Sequence, residues 1–127
     1  MRGKWLDAPA VITSVLPAEW NIREVKLGKQ MVTRKGAFFK GDVVIWFQNG
    51  TQILRAGVIL GFLSGKGHVV HNIASVAMYW HQDGFTWSTA DPPTVLVSAS
   101  LLLTTVAWHA DNDVADHVRL LVPRVLR

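Results

Sequence analysis

Residues 41–63 read GDVVIWFQNGTQILRAGVILGFL, and this stretch decides the fold class. Two apolar runs, Val43–Phe47 and Ile53–Leu63, flank Asn49-Gly50. Asn-Gly between runs rich in β-branched and aromatic residues predicts a β-hairpin, because a type I′ turn needs positive φ at both central residues. The first run, VVIWF, does not alternate apolar with polar. A strand of that kind is expected to be covered on both faces.

Working outward, Ala10–Leu16 (AVITSVL) reads as a strand that stops at Pro17. Residues 18–27 fit either a short helix opened by Pro17 and Glu19 or an alternating strand, EVKL, with the strand preferred because Gly28 follows. Gln30–Thr33 continues the alternation, and Lys35-Gly36 reads as a turn. Downstream, Val69–Trp80 predicts a strand with Val76, Met78 and Trp80 on one face and Ala77 and Tyr79 on the other. Asp83-Gly84 is a turn signal, and Phe85–Trp87 a short return strand. Thr94–Trp108 is one long strand or two joined by a kink near Ser100. Either His117–Leu121 is a short helix capped from Asp111 or Asp113, or His117–Val122 is a last strand.

These elements predict a mainly β chain with at most one or two short helices, arranged as a small barrel or sandwich. Over residues 40–103 the chain resembles the SH3-like barrels, the group that includes Tudor and KOW modules. The resemblance rests on the opening strand Gly41–Val44, a strand around Ala56–Phe62, an aromatic-rich strand at Val76–Trp80 and a late strand, Val95–Leu103. It implies a single domain over residues 1–127, with residues 1–40 an extension packed on a barrel core of residues 41–127. It also implies that the late strand closes the barrel.

Composition narrows the function classes. The chain has 127 residues and no cysteine, which excludes disulfides, thiol catalysis and cysteine-based zinc sites and fits the cytoplasm. Met1-Arg2-Gly3-Lys4 is not followed by a sustained apolar segment, so no secretory signal is read. Thr94–Trp108 is 15 residues long, too short for a spanning helix, and no membrane span is expected. Thirteen Lys and Arg against nine Asp and Glu make the chain basic, with an expected nucleic-acid partner. Lys26, Lys29, Arg34, Lys35 and Lys40 fall in a segment free of acids, a candidate track for phosphates. Tyr79, Trp80, Phe85 and Trp87 gather around the Asp83-Gly84 turn and are the candidate aromatic surface for stacking or for a cationic group.

The bland readings are a solvated strand face for the cations and core packing for the aromatics. His109, Asp111, Asp113, Asp116 and His117 have a metal-like spacing but lack the glycine and distal glutamate of a calcium hand, and a solvated loop is the preferred reading. No catalytic, metal or cofactor residue is assigned. The SH3-like dihydrofolate reductases show that such barrels can be enzymes, but their Val-Gln-Ile-Tyr contact motif is not found here. The expected function is therefore a non-enzymatic nucleic-acid-binding module. The alternatives are an interaction or assembly protein, such as an accessory factor of a phage or other mobile element, and a small oligomeric enzyme, for which no residue constellation is found. Six Trp, half of all residues apolar, and Leu101-Leu102-Leu103 with one Leu expected to face outward all point to self-association as a dimer.

Overall fold

The computed structural model describes residues 3–124. Met1, Arg2 and residues 125–127 lie outside the described residues. The first half of the chain runs β1 (Leu6–Asp7), helix α1 (Ala10–Thr13), a 3-10 turn (Ala18–Trp20), β2 (Glu24–Gly28), β3 (Gln30–Thr33), β4 (Gly36–Phe39), β5 (Val43–Phe47) and β6 (Leu54–Lys66). The second half runs β7 (Val70–Met78), β8 (Trp80–Asp83), β9 (Thr86–Ser88), β10 (Thr94–Ser98), a 3-10 turn (Ala99–Leu101), β11 (Leu102–Thr105), β12 (Trp108–Ala110) and β13 (His117–Leu120). The expected mainly β class holds, with all described ladders antiparallel.

The expected hairpin forms: β5 pairs with β6, from Val43 opposite Val58 to Phe47 opposite Leu54. Its connection is longer than a two-residue turn. Gln48 donates its N–H to the Ile53 carbonyl, and Thr51 donates to the Gln48 carbonyl, so the chain makes a small loop over residues 48–53. Only Gly50 has positive φ there (72°), so the type I′ expectation is corrected. Thr51 stabilises the longer loop, donating from its hydroxyl to the Gln48 carbonyl while its oxygen accepts from the Ile53 N–H.

Why VVIWF does not alternate is now explicit. Val44 and Trp46 point into one core, with Phe38, Ile59, Phe62, Val76, Val97 and Leu102. Val43 and Ile45 point into a second, with Ala56, Trp87, Val118 and Leu120. The strand is thus buried on both faces, as its composition predicts. Its edges are filled by β6 and β11.

β6 is the longest strand and serves three neighbours. Residues 54–58 pair with β5, residues 62–66 pair with β2 along the same edge, and the other edge pairs with β7. A bulge between Ile59 and Gly61 inserts Leu60 and flips the parity of everything after it. Before the bulge Ala56 and Val58 face the second core. After it Phe62 joins Ile59 in the first core, and Leu63 turns to a third cluster with Leu16, Ile22, Val25 and Ile73.

The seven-stranded sheet follows the path β10-β7-β6-β5-β11, with β2 and β1 continuing from the far half of β6. The chain bends at Ala99–Leu101, confirming the expected kink near Ser100 and carrying it from β10 at one edge to β11 at the other. No described ladder joins β10 to β11, so the late strand does not close a barrel. A four-stranded sheet, β12-β13-β9-β8, covers the second core, and β3-β4 forms a separate two-stranded ribbon. His117–Leu120 is therefore a strand and not a capped helix.

Two expectations are corrected here. Ala10–Leu16 is not a strand: Ala10–Thr13 is one helical turn. There, the Thr13 and Ser14 hydroxyls donate back to the Ala10 and Val11 carbonyls. Leu16 and Ile12, four apart, pack on the third cluster, and this outweighs the weak β preference of Val, Ile and Thr. The Leu expected to face outward from Leu101-Leu102-Leu103 is not left for a partner: Leu102 is fully buried in the first core. The 3-10 turn breaks the two-residue alternation, so Leu101 also faces the first core while Leu103 faces the second. The outward Leu is covered by the small sheet of the same chain. Leu102→Ala should cost about 2–5 kcal/mol in urea unfolding. Leu121→Ala, at a position 60% exposed, should change stability by no more than about 0.5 kcal/mol.

Candidate nucleic-acid interface

The acid-free basic segment folds as the β3-β4 ribbon. Met31 and Phe38 stand opposite each other and are both buried in the first core, which fixes the ribbon over one end of the main sheet. Their neighbours Val32 and Ala37 consequently face outward. Thr33 pairs with Gly36, leaving Arg34 and Lys35 as a two-residue tip, as the Lys35-Gly36 turn signal predicts. The Lys35 N–H donates to Thr33 Oγ1 at 3.1 Å, and Gly36 supplies a φ of 135°. At the base, the Lys40 N–H donates to the Lys29 carbonyl at 2.7 Å. Cations thus sit at both ends of a ribbon about 15 Å long. All four side chains are exposed.

Lys26 belongs elsewhere. It lies on β2, with its Nζ 4.6 Å from the centre of the Trp5 ring, and Lys66 approaches the same ring at 5.5 Å. Arg119 is exposed on β13, in the small sheet.

The four candidate aromatics are not brought together with the ribbon. They lie on or beside β8 and β9, whose sheet covers the second core, on the other side of β5 from the core that holds Met31 and Phe38. Trp87 is 3% exposed and is a core residue, which corrects its expected place on the surface. The register of β9 against β13, Trp87 opposite Val118, turns it inward. Its Nε1 is buried without a hydrogen-bond partner, and its ring meets His81 at 4.7 Å. Tyr79 and Phe85 are half-buried, and Tyr79 packs against the second core. Trp80 is exposed, because the chain leaves β7 at Met78 and re-enters the other sheet.

A different aromatic pair lies beside the ribbon. Trp20, at the end of its 3-10 turn, stacks on His71 of β7 with ring centres 3.9 Å apart and planes 6° from parallel. The approach depends on Gly67, where a Cβ would collide with the Trp20 carbonyl oxygen. Asn21, with φ of 50°, ends the turn. The pair lines a cleft of about 300 Å³ together with Thr33 of the ribbon, Asn72, Ser98 and Ser100. Lys35 Nζ donates to the Ser100 carbonyl at 2.9 Å, at the rim. The Ser98 and Ser100 hydroxyls are 2.9 Å apart. Ser64 Oγ donates to Asn72 Oδ1 at 2.6 Å.

Among the described residues, no three His, Asp or Glu side chains gather as a metal site would require. In the loop of residues 111–116, Asp111 Oδ1 accepts from the Asp113 N–H, and His117 Nδ1 contacts the Ala115 carbonyl. No described helix is long and apolar enough to cross a membrane.

Burial pushes the Tyr79 hydroxyl pKa above its ordinary value of 10.0. The unfolded chain therefore ionises first. The contribution of Tyr79 to stability is constant below about pH 10 and becomes unfavourable as pH rises from the unfolded value through the folded one. Tyr79 is the chain's single tyrosine, so absorbance at alkaline pH reads it directly and should titrate late. Tyr79→Phe should remove this part of the alkaline loss.

Comparison with known proteins found no matching family model, no similar curated protein and no similar solved structure.

Proposed function

We propose that this chain is a non-enzymatic nucleic-acid-binding module whose contact element is the β3-β4 ribbon. One observation carries the reading: Lys29, Arg34, Lys35 and Lys40 occupy both ends of an exposed ribbon with no acid in it. Such a ribbon meets a phosphate backbone without like-charge repulsion, and counterion release supplies the driving force. The two buried anchors, Met31 and Phe38, hold the ribbon whose tip and base carry the cations. The absence of cysteine suits work in a reducing cytoplasm.

The finer fold reading, an SH3-like arrangement left open between β10 and β11, is supported by the path β10-β7-β6-β5-β11 and by the 3-10 turn at Ala99–Leu101 that leads β11 back to β5.

A groove favours a second reading, self-association as a dimer. Val15, Leu27, Leu60 and Leu96 are exposed and line one groove of about 380 Å³, with Lys29 and Lys40 at its edge. Two copies that pack these grooves about a two-fold axis close the interface on itself.

Binding to generic DNA and RNA should weaken steeply as salt rises, as fluorescence anisotropy would record. Arg34→Glu with Lys35→Glu should weaken binding to every sequence and lower the slope of log affinity against log salt by about 2. No binding at low salt would overturn the reading. For the dimer, Leu96→Lys should stay folded and sediment as a monomer where the parent chain does not. A parent chain that is monomeric at all concentrations removes this second reading.

A further inference from the structure

We infer that the cleft between the ribbon and the Trp20–His71 stack takes one unpaired nucleobase of a single strand whose phosphates lie along the ribbon. This rests on the nucleic-acid reading and narrows it from any DNA or RNA to single strands.

Three features of the cleft point to a base. The first is the stack itself. Two rings 3.9 Å apart and nearly parallel form a preset wall to which a third flat ring can add, and base stacking on aromatic side chains tolerates any base. The second is the supply of mixed polar groups lining the same cleft. The Ser98 and Ser100 hydroxyls can each donate or accept. Asn72 has its oxygen engaged by Ser64, which leaves its Nδ2 hydrogens to donate. Such a set meets the edge of a base without demanding one sequence.

The third feature is Lys35. Its Nζ is held at the rim by the Ser100 carbonyl, and an ammonium has three donors, so two remain for a phosphate. A phosphate at Lys35 and a base at the stack are parts of one nucleotide. The cleft, about 300 Å³, is at the small end of ligand pockets, which suits one nucleoside and not a base pair. The cleft also lies on the ribbon's side of β5, where the exposed Trp80 does not.

The test compares three labelled probes of equal length at one low salt concentration: an oligothymidylate, the same backbone with every base removed, and a duplex. The base-bearing single strand should bind about tenfold or more tightly than the abasic strand, which carries the same charge. Trp20→Ala should erase that difference while leaving binding to the abasic strand unchanged. Trp20 also packs on the third cluster, so His71→Ala is the second variant should the first not fold. Photocrosslinking of the parent chain to a strand containing 5-iodouracil should mark Trp20 or His71. Equal affinity for base-bearing and abasic strands, or crosslinks confined to Trp80 or Trp108, would overturn the inference while leaving the ribbon reading standing. Failure of all three probes to bind would overturn both.

Discussion

A strand with no face toward water needs a layer on each side, and β5 imposes this on the whole chain. Val44 and Trp46 require the curled main sheet and its ribbon lid. Val43 and Ile45 require the four-stranded sheet, which supplies Trp87, Val118 and Leu120 to the same core. Each fully buried Val or Ile contributes roughly 1.5–3 kcal/mol of hydrophobic stabilisation. Four buried residues in a row, Val43, Val44, Ile45 and Trp46, therefore tie two sheets to one element. The bulge at Leu60 meets the same requirement for β6. It lets one strand serve the second core in its first half and the third cluster in its second half without giving up the first core.

Much of the fold was legible because it follows from local pattern. The Asn49-Gly50 hairpin, the two-faced burial of VVIWF, the break near Ser100 and the return strand after Asp83-Gly84 are all written in runs and turn residues. What escaped was decided at a distance. Ala10–Leu16 has strand composition, yet it is helical at its start because Ile12 and Leu16 are wanted on one cluster. Leu101-Leu102-Leu103 reads as a run with one side chain too many for a single interior. A single interior was the wrong premise, since there are two, and a 3-10 turn shifts the phase between them.

The candidate site divides in the same way. An acid-free basic run is a property of the sequence, and its display at the tip and base of a ribbon follows from the Lys35-Gly36 turn. Which aromatics stand near it is not such a property. Trp87 sits beside a turn and looks exposed, but pairing with β13 turns it inward. Trp20 and His71 lie far apart in the chain, and their stack depends on the missing side chain of Gly67. A glycine in a flexible-looking loop gives no local hint of what will rest against it.

The pairing of β5 with β11 has a consequence for how the chain is made. β5 finds β6 at once, through a short loop, but its other edge must wait for residues near the end of the chain. Contacts between distant segments form slowly, because the loop between them must be closed first. During synthesis, and in every refolding event, VVIWF thus presents an open edge of apolar, β-branched residues. Open edges of this kind pair readily with other chains. The element that organises the finished molecule is also its point of greatest exposure to aggregation, from the time β5 leaves the ribosome until β11 arrives to cover it.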